Sequence, residues 1–213
     1  MIKIVMKKIL PFFIAVAIAL TACQPVYKAD NFQQTANTHR LIAVLPPKVI
    51  IEIKSADEAA AIKKQEMIES ERFQNALVNY LNEQNHENKI FIKAQNTAET
   101  NKILADNNVT SLTGRSYGEL AKMLGADAVV TSRISLAKPL TNSEAFFTSL
   151  LTGYSAPSKI TTVDLSLTDR ESGKMFWNYN WQTGGTFVST EKLTNSLMKA
   201  AAIRFPYKTK DLQ

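Results

Sequence analysis

The chain has one cysteine, two histidines and seven glycines among its 213 residues. A single thiol forms no internal disulfide, so stability has to come from a packed core. Neither His39 nor His86 stands in a recognisable metal-ligand spacing, and no metal or other cofactor is expected. The one glycine cluster that invites comparison with a phosphate-binding loop, "GRSYGE", lacks the lysine and the spacing such a loop needs. Charge is also modest: of the formal +6, three charges come from Lys3, Lys7 and Lys8 at the extreme N-terminus. Nothing in that balance argues for a nucleic-acid partner. Long apolar runs are missing too. Ile9 to Leu20, interrupted only by Pro11, is shorter than the roughly 20 residues a spanning helix requires.

That short run has another reading. Three lysines precede it, small residues follow, and the sole cysteine comes directly after Leu20-Thr21-Ala22. Basic, apolar and small-residue regions in this order make a secretory signal. The tetrapeptide ending at Cys23 resembles the lipobox of bacterial lipoproteins, which implies cleavage before Cys23, a diacylglycerol on its thiol and an acylated amine. With about 0.8 kcal/mol per buried methylene, several acyl chains anchor a protein almost irreversibly. The membrane is thus the first expected partner, through a covalent lipid. Gln24 follows the cysteine where an aspartate would signal retention, which favours the outer membrane, with the protein facing the periplasm.

Four segments are expected: a signal peptide over 1–22, the lipidated cysteine with a flexible tether over 23–38, an α/β domain over 39–207 and a tail over 208–213. The tether assignment rests on polar composition without hydrophobic periodicity, and implies a reach of a few tens of Å. Leu41 to Leu45, stopped by Pro46-Pro47, reads as a strand buried on both faces. A long helix follows, with Phe73, Leu77, Tyr80 and Leu81 on its buried face and a more polar first half standing clear of the body. "KIFIK" suggests a second strand, and Thr97 opens the next helix. Leu120, Met123 and Leu124 form a buried stripe ended by Gly125 at a left-handed cap, leading into Ala128-Val129-Val130. Val163, Leu165 and Leu167 alternate with polar residues, "DRESGK" makes a turn at Gly173, and Trp177, Tyr179 and Trp181 alternate on the returning strand. A last helix buries Leu193, Leu197, Met198 and Ala201 before Pro206. The elements add up to one α/β domain with a mixed sheet.

In this order, "RLIAVLPP", "FQNALVNYL", "ETNKILADN", "ELAKMLGADAVVTSRIS" and "LTDRESGKMFWNY" resemble the curli-secretion lipoprotein (CsgG) superfamily, which includes the penicillin-binding-protein activator lipoprotein B. The resemblance runs from Leu41 to about Arg204 and is most specific at "LGADAVV" and "DRESGKMFW". It implies a fold like the N-terminal domain of TolB and a role in assembling or regulating envelope machinery. Ser132 departs from the family, which often has glycine there.

Channel-forming members carry long membrane hairpins near the position of residues 136–158. Here Phe146, Phe147, Leu150, Leu151 and Tyr154 follow helical spacing and do not alternate as pore strands must. These five are the candidate partner surface, for another protein, another copy or the bilayer; the alternative is a cover for the sheet. No catalytic set emerges. Asp164, Asp169 and Glu171 cluster in sequence but fit a strand face and a turn. The expected function is a lipid-anchored, non-catalytic envelope protein that binds a protein partner to scaffold or regulate envelope or cell-wall assembly. An oligomeric subunit of an export or transport complex is the alternative, and a periplasmic enzyme or carbohydrate binder the weaker one.

Overall fold

A computed structural model describes residues 26–52, 59–137, 158–185, 190–202 and 204–209. These form a single mixed seven-stranded sheet packed with helices. In chain order the elements are β1 (Val26–Lys28), α1 (Phe32–Thr38), β2 (Leu41–Val44), β3 (Lys48–Glu52), α2 (Ala59–His86), β4 (Lys93–Ala94), α3 (Thr97–Asp106), α4 (Tyr117–Met123), β5 (Ala128–Ala137), β6 (Ser158–Asp169), β7 (Met175–Gly185) and α5 (Thr190–Ala202). The sheet order is β1-β7-β6-β5-β2-β4, and β3 pairs with β5 beside β2. Pro46-Pro47 explain that arrangement. They interrupt what would be one strand, so β2 pairs with the first part of β5 and β3 with its last part. β5 with β6, β6 with β7 and β7 with β1 pair antiparallel, and β2 with β4, β2 with β5 and β3 with β5 pair parallel.

Alternation sorts the side chains by face. Val163, Leu165 and Leu167 of β6 and Trp177, Tyr179 and Trp181 of β7 join Phe73, Leu77 and Leu81 of α2 and Leu193, Leu197 and Met198 of α5 in the main core. The two tryptophans are therefore packing residues, with no free ring face to offer a sugar. On the opposite side Ala43, Leu45 and Val129 meet Leu104 of α3 and Leu120 and Leu124 of α4 in a smaller aliphatic cluster. Gly125 and Gly173 take φ of +65° and +64°, so both expected left-handed turns are present.

Four expectations are corrected. The stretch expected as tether is built into the fold from Val26 onward: β1 pairs with β7, and α1 buries Ala36. Its periodicity is weak because a three-residue edge strand turns only Val26 toward the core, and a seven-residue helix buries one alanine. The first half of α2 does not stand clear, since Ile62, Gln65 and Glu69 are buried and Gln65 donates to Glu69 at 2.9 Å. Of "KIFIK", only Lys93 lies in a ladder, while Ile90 bridges to Lys208. The cap of α3 is Asn96, whose side chain accepts from Ala98 N, one residue before the expected Thr97.

Candidate functional site

Two features share the end of the sheet where the β6–β7 turn lies. The first is a buried polar clasp. His39, 2% exposed, leads into β2 from α1, and its Nε2 donates to Asp169 Oδ1 at 3.0 Å. An ionised carboxylate only accepts, so that proton assignment leaves Nδ1 facing the Tyr207 hydroxyl at 2.8 Å. Asp169 Oδ2 accepts from both the backbone N and the Oγ of Ser172, each at 2.6 Å. Burial raises the Asp169 carboxyl, but the Ser172 and His39 hydrogen bonds outweigh it and hold it below the usual carboxylate range. Burial, followed by the charges of Asp169 and Asp127, pushes the Tyr207 hydroxyl well above its usual value.

A second carboxylate secures the same end. Asp127 Oδ2 accepts from Arg40 N at 2.7 Å and Leu41 N at 3.1 Å, and Oδ1 lies 3.2 Å from Arg170. Burial raises this group too, and the two backbone donors with Arg170 bring it below the usual range. The clasp therefore joins α1, the start of β2, the β6–β7 turn and the C-terminal tail.

Carboxylate, imidazole and hydroxyl in a row invite a catalytic reading, which the burial argues against. Tyr207 is fully buried, ringed by Phe91 and Phe205 at edge-on centroid distances of 5.7 and 5.4 Å, and Phe176 stands edge-on to His39 at 5.4 Å. A reacting atom has no route to the hydroxyl. Asp164, Asp169 and Glu171 do not converge either: Asp164 accepts from Asn178 at 2.9 Å on the outer sheet face, and Glu171 pairs with Arg170 at the surface. His86 is exposed at the end of α2. Among the described residues no three His, Cys, Asp or Glu side chains group as metal ligands.

The second feature is an apolar pocket of about 230 Å³ between the C-terminal halves of α2 and α5. Tyr80, Leu81, Ile90, Met198, Ala202 and Phe205 form its walls, with Gln84, Lys89 and Lys208 completing it. Helical spacing puts Tyr80, Leu81 and Gln84 on one side of α2, and Met198 and Ala202 one turn apart on α5. The bridge of Ile90 to Lys208, with Phe91 N donating to Tyr207 O at 3.0 Å, closes the floor. Periodicity had marked Tyr80, Leu81 and Met198 as core; the sequence carries no signal that the core stays open here.

Cys23, Leu20, Thr21 and Ala22 lie outside the described residues, as do Phe146, Phe147, Leu150, Leu151 and Tyr154. Among the described residues no helix is long and apolar enough to cross a membrane.

No family model matches the chain, and no curated protein matches it. Solved structures do. Lipoprotein GNA1162 from Neisseria meningitidis is 14% identical with a TM-score of 0.45, over 76% of this chain and 94% of that one. PelC from Paraburkholderia phytofirmans, a dodecamer, is 11% identical with a TM-score of 0.43, over 80% and 90%. The C-terminal domain of LpoB from Salmonella enterica is 10% identical with a TM-score of 0.34, over 71% and 94%. These are loose likenesses in the course of the chain, without residue-level correspondence.

Proposed function

We propose that this chain is a lipid-anchored, non-catalytic protein of the bacterial cell envelope that binds a protein partner through the α2–α5 pocket, and so scaffolds or regulates envelope or cell-wall assembly. Acylation of Cys23 supplies the anchor, and the outer membrane, on its periplasmic side, is the proposed location. The observation that carries the reading is the contrast in chemistry at the turn end of the sheet. The buried polar groups there are engaged with one another, and the accessible feature is apolar. Its volume of about 230 Å³ is below the roughly 300–1,000 Å³ usual for small-molecule sites. An apolar side chain of a partner protein fits that scale.

One such side chain contributes about 1.5–3 kcal/mol on full burial. Loss of translational and rotational freedom costs about 4–15 kcal/mol. The pocket is then an anchoring point within a wider contact, and attachment of both proteins to one membrane raises their effective concentration. A photoreactive amino acid at Gln84, in cells, tests this. The proposal expects a discrete adduct with another envelope protein. An adduct at twice the mass of this chain would point to self-association instead, and no adduct at Gln84 under conditions that label a known contact would overturn the pocket assignment.

A further inference from the structure

The pairing of β1 constrains how the domain meets the membrane. Val26 lies opposite Tyr179 and Lys28 opposite Trp177, so β1 is fixed as an edge strand of the sheet. Ala29 N donates to Phe176 O at 3.0 Å and Phe32 N to Ala29 O at 3.0 Å, which extends the attachment beyond the ladder. Only Gln24 and Pro25 separate Val26 from Cys23. Three peptide links span at most about 11 Å. If Cys23 carries lipid, the leash between bilayer and sheet is that short, against the few tens of Å that a tether over 23–38 implies.

The chemistry of β1 suits what lies at the end of such a leash. Tyr27 is 49% exposed, one of few large apolar side chains on the described surface. Lys28 is exposed beside it, with Nζ 4.6 Å from the centre of the Phe32 ring. Tyrosine is a residue of membrane interfaces, where its ring sits at headgroup level with the hydroxyl toward water. A lysine close to the surface of an anionic leaflet is attracted to it.

We propose that the β1 edge of the sheet rests directly on the bilayer, with Tyr27 and Lys28 at headgroup level. The proposal rests on the lipid-anchor reading above. It sets the far edge as well: five strand spacings separate β1 from β4, which puts β4 up to about 24 Å further from the surface. The covalent leash sets which edge faces the lipid, and Tyr27 and Lys28 hold that edge down.

The test uses the full acylated chain, extracted from cells and returned to phosphatidylethanolamine–phosphatidylglycerol vesicles. With Cys23 acylated, any cysteine introduced elsewhere is the one free thiol. Fluorophores at Asp30→Cys, in the turn after β1, and at Ala105→Cys, on α3 at the far edge, are compared in vesicles carrying a quencher on the lipid headgroup. Quenching is expected to be several-fold stronger at position 30. A Gly/Ser spacer of about 20 residues between Gln24 and Pro25, reaching roughly 25 Å, combined with Tyr27→Ser and Lys28→Ser, should erase the difference while the protein still floats with the vesicles. Equal quenching at the two positions in the unmodified chain overturns the orientation and leaves the anchor standing. Failure to float with the vesicles overturns the anchor reading, and the orientation with it.

Discussion

The C-terminal tail, Arg204 to Thr209, divides between two neighbouring environments built on opposite lines. Tyr207 goes into the clasp, where the buried groups His39, Asp169 and Tyr207 bond to one another and only Ser172, at the turn, reaches the surface. Phe205 and Lys208, two residues and one residue away, line an apolar pocket that opens to the surface. In the clasp, low dielectric strengthens each hydrogen bond and makes each orphaned donor costly, which suits a device that holds four chain segments together. The pocket carries no such penalty. It leaves apolar surface uncovered, and covering that surface is favourable for whatever fits. The more chemically suggestive cluster is therefore the structural one, and the blander one is the candidate site.

Variants can separate the two. The largest effect should come from the clasp. Asp169→Ala leaves His39 and the Ser172 N–H without their acceptor, at about 1–3 kcal/mol each with one of them near solvent. A loss of about 2–4 kcal/mol is expected, seen as a melting temperature roughly 5–15 °C lower. Acid should act on the same point. Asp169 and Asp127 both sit below the ordinary carboxylate range when folded, so their contribution is complete above the unfolded pKa of about 3.9 and is lost as pH falls through the lower folded values. Melting temperature against pH should fall off below about pH 4, less steeply in Asp169→Ala; an identical fall in both chains would remove Asp169 from the account.

A smaller loss is expected where α4 meets the clasp's turn. A Cβ on Gly118 would stand 2.8 Å from Gly173 Cα, a backbone atom of a turn that Asp169 holds rigid. Gly118→Ala should cost about 1–3 kcal/mol, offset by up to about 1 kcal/mol of better helix propensity. In an Asp169→Ala background the turn can yield, so the two effects should be less than additive in denaturant midpoints. The smallest effect is expected at Ser132, whose hydroxyl is buried without a hydrogen-bond partner among the described residues. Ser132→Ala should leave the melting temperature unchanged or slightly higher, since it removes a desolvated group that gains nothing in return; a clear fall would mean that the hydroxyl is satisfied in solution.

Legibility in the sequence followed the same division. Periodicity found β6, β7, α4 and α5, because each has one strongly apolar face that a period of 2 or 3.6 reveals. β5 was legible as a continuous apolar run, since Val129 faces one cluster and Ala128 and Val130 the other. Gly125 and Gly173 were legible because few other residues tolerate their backbone angles. The N-terminal edge was not: β1 and α1 bury too little to leave a pattern, and their order comes from pairing with β7, about 150 residues later in the chain. His39 was missed for the same reason. Its partners Asp169 and Tyr207 lie 130 and 168 residues away, and nothing local to "THRLIAV" signals either. The buried first half of α2 escaped because Gln65 and Glu69 satisfy each other, which composition alone counts as exposed. The pocket escaped because an open core and a filled one have the same periodicity.

The central claim is that the pocket contacts the partner and the clasp only holds the fold. The direct measurement is photocrosslink yield from Gln84, per folded molecule, in two backgrounds. Ala202→Leu fills the pocket, and Tyr207→Phe takes the hydroxyl from the clasp. The account predicts that Ala202→Leu abolishes the adduct with little change in melting temperature, while Tyr207→Phe lowers the melting temperature and keeps the adduct. An adduct that survives the filled pocket and vanishes on loss of the Tyr207 hydroxyl would contradict it.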